Sequence, residues 1–267
     1  MQWPFVKYVG CGNDFILFDN REEKFPHENK RLIQQFCHRQ WGIGADGVIL
    51  RESSSKADFR MRIFNADGSE AEMCGNGIRC LVHWHHQLDA KKNSYTVETR
   101  NRVHHATVDQ SSVCIDMGSP TDLEWEVTIP YQDELITLHS MSTGVPHAIL
   151  FHPDIDKIDL KTFGSYVRHH PRWQPRGTNL TLVQPLQRSC YKIRTFERGV
   201  EGETLACGTG ATAAAIAAAY QLDAGDRITV YTLAGELKIG FSQKTAHFAD
   251  VTMTGPAQQT FEGTINI

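Results

Sequence analysis

"EMCGNGIRC" spans residues 72–80 and "LACGTGATAAA" spans residues 205–215. Both place Cys-Gly-x-Gly at the head of a stretch of helix formers, half a chain apart. After Cys74, the apolar spacing of Ile78, Leu81, Val82, His85 and Leu88 predicts a helix that starts at Gly75 or Asn76 and ends before Asn93. After Cys207, the near-continuous alanine of "ATAAAIAAAY" predicts a helix from Gly208 to Leu222. So slim a helix can lie against strands on every side, as at the centre of a curled sheet.

Outward from these motifs, the plan repeats. "DFRMRIFN" alternates, with Phe59, Met61 and Ile63 on one face and Arg60 and Arg62 on the other, and so predicts a strand. "CYKIRTFERG" alternates less cleanly before the second motif. Phe64-Asn65 and Phe196-Glu197 end these two strands at similar distances from Cys74 and Cys207, which points to an internal duplication. Further strands are expected at Phe5–Val9, Asp14–Phe18, Gly47–Arg51, Ser94–Thr99, Val103–Val108, Val113–Met117 and His247–Met253. "ENKRLIQQFCHRQ" reads as an amphipathic helix closed by Gly42, and "LAGE" at Leu233–Glu236 as a hairpin. "GSPTD" at Gly118–Asp122 is turn chemistry and marks a boundary between halves. The expected domains are residues 1–117, to which the tail 256–267 returns, and residues 118–255.

Composition narrows the class. With 267 residues, 40% hydrophobic and 22% charged, the chain suits a soluble protein of about two domains. A net charge of −4 and no basic run argue against nucleic acid. No signal peptide or membrane-length apolar run is present, so we expect a cytoplasmic protein without a membrane partner. Seven cysteines do not form a secreted disulfide pattern. Cys11, Cys37, Cys114 and Cys190 read as buried packing thiols, and Cys80 as a helix-packing one.

Cys74 and Cys207 stand apart. A cysteine before a helix start feels unpaired N–H groups and the positive end of the helix, which favour thiolate. The glycines let a ligand approach the backbone, and the free amides suit a carboxylate. Two such motifs make a two-base site: one thiolate removes an α-proton while the other thiol protonates the opposite face. The helix starts stabilise the enolate-like charge that develops on the carboxylate. No cofactor signature appears, and none is expected.

At these residues the chain resembles the diaminopimelate epimerase family. "GCGNDF" (10–15), "GIGADG" (42–47), "FNADGSEAEMCGNGIRC" (64–80), "ERGVEGETLACGTGA" (197–211) and "MTGPA" (253–257) match family blocks in order, over essentially the whole chain. The resemblance implies an α/β (α+β) fold of two pseudo-symmetric domains. Each would be a curved, mainly antiparallel sheet or barrel around a central helix, with the site in the cleft between them. It implies cofactor-independent interconversion of LL- and meso-2,6-diaminopimelate for lysine and peptidoglycan precursors, by a homodimer acting on a small-molecule substrate. Cys74 and Cys207 then become the acid–base pair. Backbone groups of Gly75, Asn76, Gly208 and Thr209 would hold the reacting carboxylate. Asn13, Asn65, Asn179, Glu197 and Arg198 match substrate contacts, with Arg198 suited to the distal carboxylate.

Two positions depart from a common version of the pattern. Gly47 stands where many relatives place Gln, and Val145 stands where the family usually has Asn before Pro146 and His147. Gly47, Val145 and His147 are therefore site-lining candidates, and the loss of one polar contact at Val145 suggests slow racemisation of an acidic amino acid such as glutamate. Among other readings, a proline racemase-like enzyme usually has His where this chain has Asn76. A metal or thiol-redox protein is suggested by "HWHH" at His83–His86, but no partner stands at ligand spacing, and we assign no metal site. A non-catalytic binder has no need of two thiols.

Overall fold

The computed structural model describes residues 2–89, 92–244 and 247–266. Met1 and Ile267, at the ends of the first expected domain and its tail, lie outside the described residues. The chain divides into two compact units, residues 1–116 with 254–267, and Met117–Met253.

In the first unit, β1 (Gln2–Gly10) and β2 (Asn13–Asp19) pair antiparallel. Helix α1 (Lys30–Cys37) leads to β3 (Gly47–Glu52), which runs parallel to β2. β4 (Phe59–Asn65) returns antiparallel to β3, and the short β5 (Glu70–Ala71) folds back on it. After α2 (Gly75–Leu88), β6 (Ser94–Glu98) lies parallel to β4. β7 (Val103–Asp109) and β8 (Ser112–Asp116) extend the sheet antiparallel, and the C-terminal strand Gln258–Asn266 pairs with β1. α2 packs against β1–β4, β6–β8 and the C-terminal strand, so the sheet curls around it.

The second unit starts with β9 (Thr121–Tyr131) and β10 (Glu134–Ser142), then β11 (Pro146–Phe151) and α3 (Leu160–His169). β12 (Asn179–Gln187), β13 (Cys190–Glu197) and the short β14 (Gly202–Thr204) precede α4 (Gly208–Leu222). β15 (Arg227–Thr232), β16 (Gly235–Lys244) and β17 (His247–Pro256) follow it, the last three residues of β17 belonging to the first unit. From β10 to β16 the pairing runs antiparallel, parallel, antiparallel, parallel, antiparallel, as it does from β1 to β7. α4 sits inside this second curl against β10, β11, β12, β13, β15 and β16. Residues 210–219 are all buried, as a rod of alanine permits.

Both units are layered the same way. Val48 and Leu50 of β3 face α1 through Ile33 and Phe36, while Ile49 turns towards α2. That is why "GVILRE" is buried along its whole length rather than alternately. In the second unit Leu180 and Leu182 meet Leu160, Phe163 and Val167 of α3.

Some local expectations shift. α1 stops at Cys37, with extended His38 as its cap, rather than at Gly42. Gly42 lies beyond the helix, where a β-carbon would fall 1.9 Å from the Gln35 carbonyl oxygen, so its role is close approach. Cys11, Cys37 and Cys80 are buried as expected, but Cys114 and Cys190 are half-buried because each points from the less covered side of its strand. The β9–β10 hairpin and α3 carry no strong signal of their own in the sequence.

Candidate active site

Cys74 and Cys207 occupy the same structural place, each the extended N-cap residue of its unit's central helix. The first i→i−4 bonds run from Ile78 N–H to Cys74 O and from Ala211 N–H to Cys207 O, at 2.9 and 2.8 Å. Amides 75–77 and 208–210 therefore lie ahead of the helical ladder, and the helix dipole adds positive character there.

Around the first motif, hydrogen bonds order the polar residues. Asn76 donates through Nδ2 to Asn13 Oδ1 at 2.6 Å, and Asn13 donates to Asp46 Oδ2 at 2.9 Å. Asp46 also holds Arg39, at 2.7 Å. Arg79, wholly buried, donates to Asn76 Oδ1 at 2.6 Å, so both Asn amides have a fixed orientation. Burial lowers the Arg79 pKa, opposed by the thiols of Cys80, Cys11 and Cys74, so its charge bears on the motif cysteine. Asn65 closes β4 opposite Gly47 and bonds Ser69 Oγ at 3.0 Å. At Gly47 a β-carbon would lie 2.5 Å from the Phe64 carbonyl oxygen, so this backbone leaves no room for a side chain.

The second motif is denser. Cys207 is 6% exposed, and its Sγ accepts from Gly210 N–H at 3.4 Å and lies 3.3 Å from Thr209 Oγ1. Glu197, at the end of β13, hydrogen-bonds Cys207 and accepts from Thr204 Oγ1 at 2.6 Å. Burial raises the Glu197 pKa, partly opposed by those two bonds. His147 on β11 is fully buried; its Nε2 lies 3.0 Å from Thr209 Oγ1 and 3.3 Å from Asn179 Nδ2. Its Nδ1 lies 3.1 Å from Thr181 Oγ1. Asn179 Oδ1 accepts from Arg198 N–H at 2.7 Å, and the Arg198 guanidinium donates to the Arg176 carbonyl at 2.9 Å. Val145 is half-buried in the β10–β11 turn, where its carbonyl accepts from Thr143 N–H at 3.2 Å. Gly208 packs on Met253, whose Sδ and Cε would lie 2.9 Å from a β-carbon there.

One expectation is overturned here. The helix start was expected to lower both thiol pKa values, but that of Cys207 is raised well above the ordinary thiol range. Burial is the largest cause and the Glu197 carboxylate the next, and together they outweigh the donors Thr209 and Gly210. His147 is pulled down to about 3 by burial and then by the Arg198 charge, so it stays neutral at ordinary pH.

Cys207, Thr209, His147, Asn179, Glu197 and Arg198 thus form one bonded cluster, while Asn13 and Asn76 form another. Sequence reasoning passed over Asp46, Arg79, Thr181 and Thr204. Asp46, Arg79 and Thr204 lie inside quoted blocks; Thr181 sits in a strand whose only cue was a polar residue among aliphatic ones.

The histidines of "HWHH" serve the packing of α2. His83 Nδ1 meets the Tyr8 hydroxyl at 3.1 Å, His86 Nδ1 meets that of Tyr95 at 2.9 Å, and His85 stacks on Phe59. Among the described residues no group of three or more His, Cys, Asp or Glu is disposed to hold a metal ion, and no helix is long and apolar enough to cross a membrane.

The family model described as diaminopimelate epimerase matches residues 5–123 and 139–260. A protein named diaminopimelate epimerase from Flavobacterium psychrophilum is 40% identical over 97% of this chain and 98% of its own length. One of the same name from Methanocella arvoryzae is 38% identical over 98% of this chain and 96% of its own. Among solved structures, a Bacillus anthracis phenazine biosynthesis protein of the PhzF family superposes with a TM-score of 0.77 at 16% identity, covering 100% of both chains. A hydroxyproline epimerase from Agrobacterium vitis gives 0.70 at 14% identity, over 99% of this chain and 91% of that one. At such identities the structures establish a shared fold.

Proposed function

The chain belongs to the diaminopimelate epimerase family and is an enzyme of that activity, and from this premise we propose that Cys74 and Cys207 carry out the epimerisation as its two bases. The substrate pair is LL- and meso-2,6-diaminopimelate, a step towards lysine and peptidoglycan precursors. The observation that carries the assignment is the shared backbone position of the two cysteines, each the N-cap residue of a helix whose first amides are outside the helical ladder.

In one direction, one sulfur as thiolate takes the α-proton and becomes a thiol. The electron pair left on the carbon delocalises into the carboxylate, where the backbone groups of Gly75, Asn76, Gly208 and Thr209 meet the growing charge. The other thiol gives its proton to the opposite face and is left as thiolate. The reverse direction exchanges the two roles, so protons and charge balance over each turnover. Glu197, bonded to Cys207 and itself raised in pKa by burial, is suited to share the proton of that thiol. Arg198 takes the distal carboxylate as a charged, forked donor, and Asn13, Asn65 and Asn179 complete recognition through amides oriented by their neighbours.

Incubation with LL-diaminopimelate in heavy water tests this reading. Deuterium is expected at the inverted α-carbon; inversion with retention of the original hydrogen would reject the two-base assignment. Light scattering on the eluted peak checks the homodimer expected from the family.

A further inference from the structure

The layer beneath the two helix starts differs in a way that packing does not require. By strand register, Phe15, Ile49 and Ile63 correspond to His147, Thr181 and Thr195, with the same step in numbering for each pair. A β-carbon on Gly77 would sit 3.0 and 3.1 Å from the Cδ1 atoms of Ile49 and Ile63. One on Gly210 would sit 2.9, 3.1 and 3.2 Å from Thr181 Oγ1, Thr195 Oγ1 and His147 Cε1. In the first unit hydrocarbon fills this space, whereas the second buries an imidazole and two hydroxyls that must be hydrogen-bonded to be tolerated.

The bonds of this polar layer lead to Cys207. Because Asn179 Oδ1 accepts the Arg198 N–H, its Nδ2 is the group that faces His147, and an amide nitrogen can only donate. His147 Nε2 is therefore unprotonated, and the ring proton sits on Nδ1, facing Thr181 Oγ1. Thr209 Oγ1 then has two acceptors within reach of its single proton, His147 Nε2 at 3.0 Å and Cys207 Sγ at 3.3 Å.

Resting on the assignment of Cys207 as an acid–base group, we propose that the Thr209 hydroxyl is a switchable donor for its sulfur and that His147 is the positioning residue that holds the hydroxyl when it is not needed. While Cys207 is a thiol, Thr209 donates to His147 Nε2 at 3.0 Å and shares that nitrogen's one lone pair with the longer Asn179 Nδ2 contact at 3.3 Å. When Cys207 becomes thiolate, the hydroxyl rotates and donates to the sulfur, joining the Gly210 N–H. The proton remains on Oγ1 throughout; only its direction changes. His147 neither gains nor loses a proton, in keeping with its burial. The sulfur thereby gains a charge-assisted bond in one protonation state without being fixed in it.

The test measures the alkylation rate of each motif cysteine by iodoacetamide at fixed pH in the full-length enzyme, by peptide mass spectrometry. Thr209→Val, which keeps the shape and removes the hydroxyl, is expected to slow Cys207 about tenfold, the effect of losing one bond to a charged group. Cys74 in the same molecules is expected to react at its native rate, and Thr209→Ser is expected to restore Cys207 to within about twofold, because the donor is back. In Thr209→Val, kcat/KM should fall by one factor in both directions, since the equilibrium between the stereoisomers is fixed. Native alkylation of Cys207 in Thr209→Val, an equal loss in Thr209→Ser, or a loss shared by Cys74 would each overturn the proposal. Retained epimerisation by Cys207→Ala would instead overturn the premise, so the two failures are distinguishable.

Discussion

The two Cys-Gly-x-Gly helix starts share a backbone and differ in what surrounds them. Cys74 is half-exposed, its sulfur does not cap its own helix, and the buried Arg79 cation acts on it. Cys207 is buried, caps its helix and has the Glu197 carboxylate against it. Position comes from the motif, but proton affinity comes from the walls. The register makes the contrast sharper. Asn13 falls where the second unit has Val145, and Gly47 where it has Asn179. The first unit thus has its bonding amide at the start of β2 and a bare backbone at the start of β3; the second unit has the reverse.

The largest test is whether both members of the pair are needed. Cys74→Ala and Cys207→Ala should each reduce epimerisation by a factor on the order of 10³, measured by loss of LL-diaminopimelate. Substantial activity in either variant would end the pairing. A smaller effect concerns their unlike surroundings. In the native enzyme at neutral pH, iodoacetamide should label Cys74 at least about tenfold faster than Cys207. Cys207 labelling should keep rising with pH through the alkaline range, because a raised pKa leaves the thiol protonated until high pH. Equal rates would mean that the walls matter less than the helix ends.

Smaller again is the asymmetry at the strand starts. Gly47→Ala should destabilise the protein by about 1–3 kcal/mol in chemical denaturation, since the added carbon meets the Phe64 carbonyl. A neutral result would show that β3 shifts freely. The faintest effect follows from Val145, whose side chain offers no hydrogen bond. Chiral chromatography after long incubation with L-glutamate should reveal slow formation of the D-isomer, far below diaminopimelate turnover. A trace equal to the enzyme-free control would remove this side activity.

Much of this was legible in the sequence for a physical reason. The helix starting at Gly208, the alternation of Phe59, Met61 and Ile63, and the turn at Leu233–Ala234 are encoded by neighbours in the chain, and the structure places them as read. α1 ended early because its stop depends on the close approach of Gly42 to the Gln35 carbonyl, a contact that local pattern does not contain. The raised pKa of Cys207 was hidden likewise. The motif announces the helix dipole, but not the burial of the thiol, nor that Glu197, at the end of the preceding long strand, folds back against it. His147 was noticed through its motif, yet its tautomer depends on which way Asn179 faces, and that is fixed by the main chain of Arg198.

The alanine rod of α4 has a further consequence. Its methyl groups have no rotamers with which to absorb a misfit, so the distance from helix axis to sheet is set almost by main chain alone. A bulkier residue at any of the alanines 211, 213–215 and 217–219 would have to shift the whole rod, carrying Cys207 and its amides with it. Saturation mutagenesis of these chemically inert positions should therefore register as catalytic lesions, with sensitivity mapped far from any reacting atom.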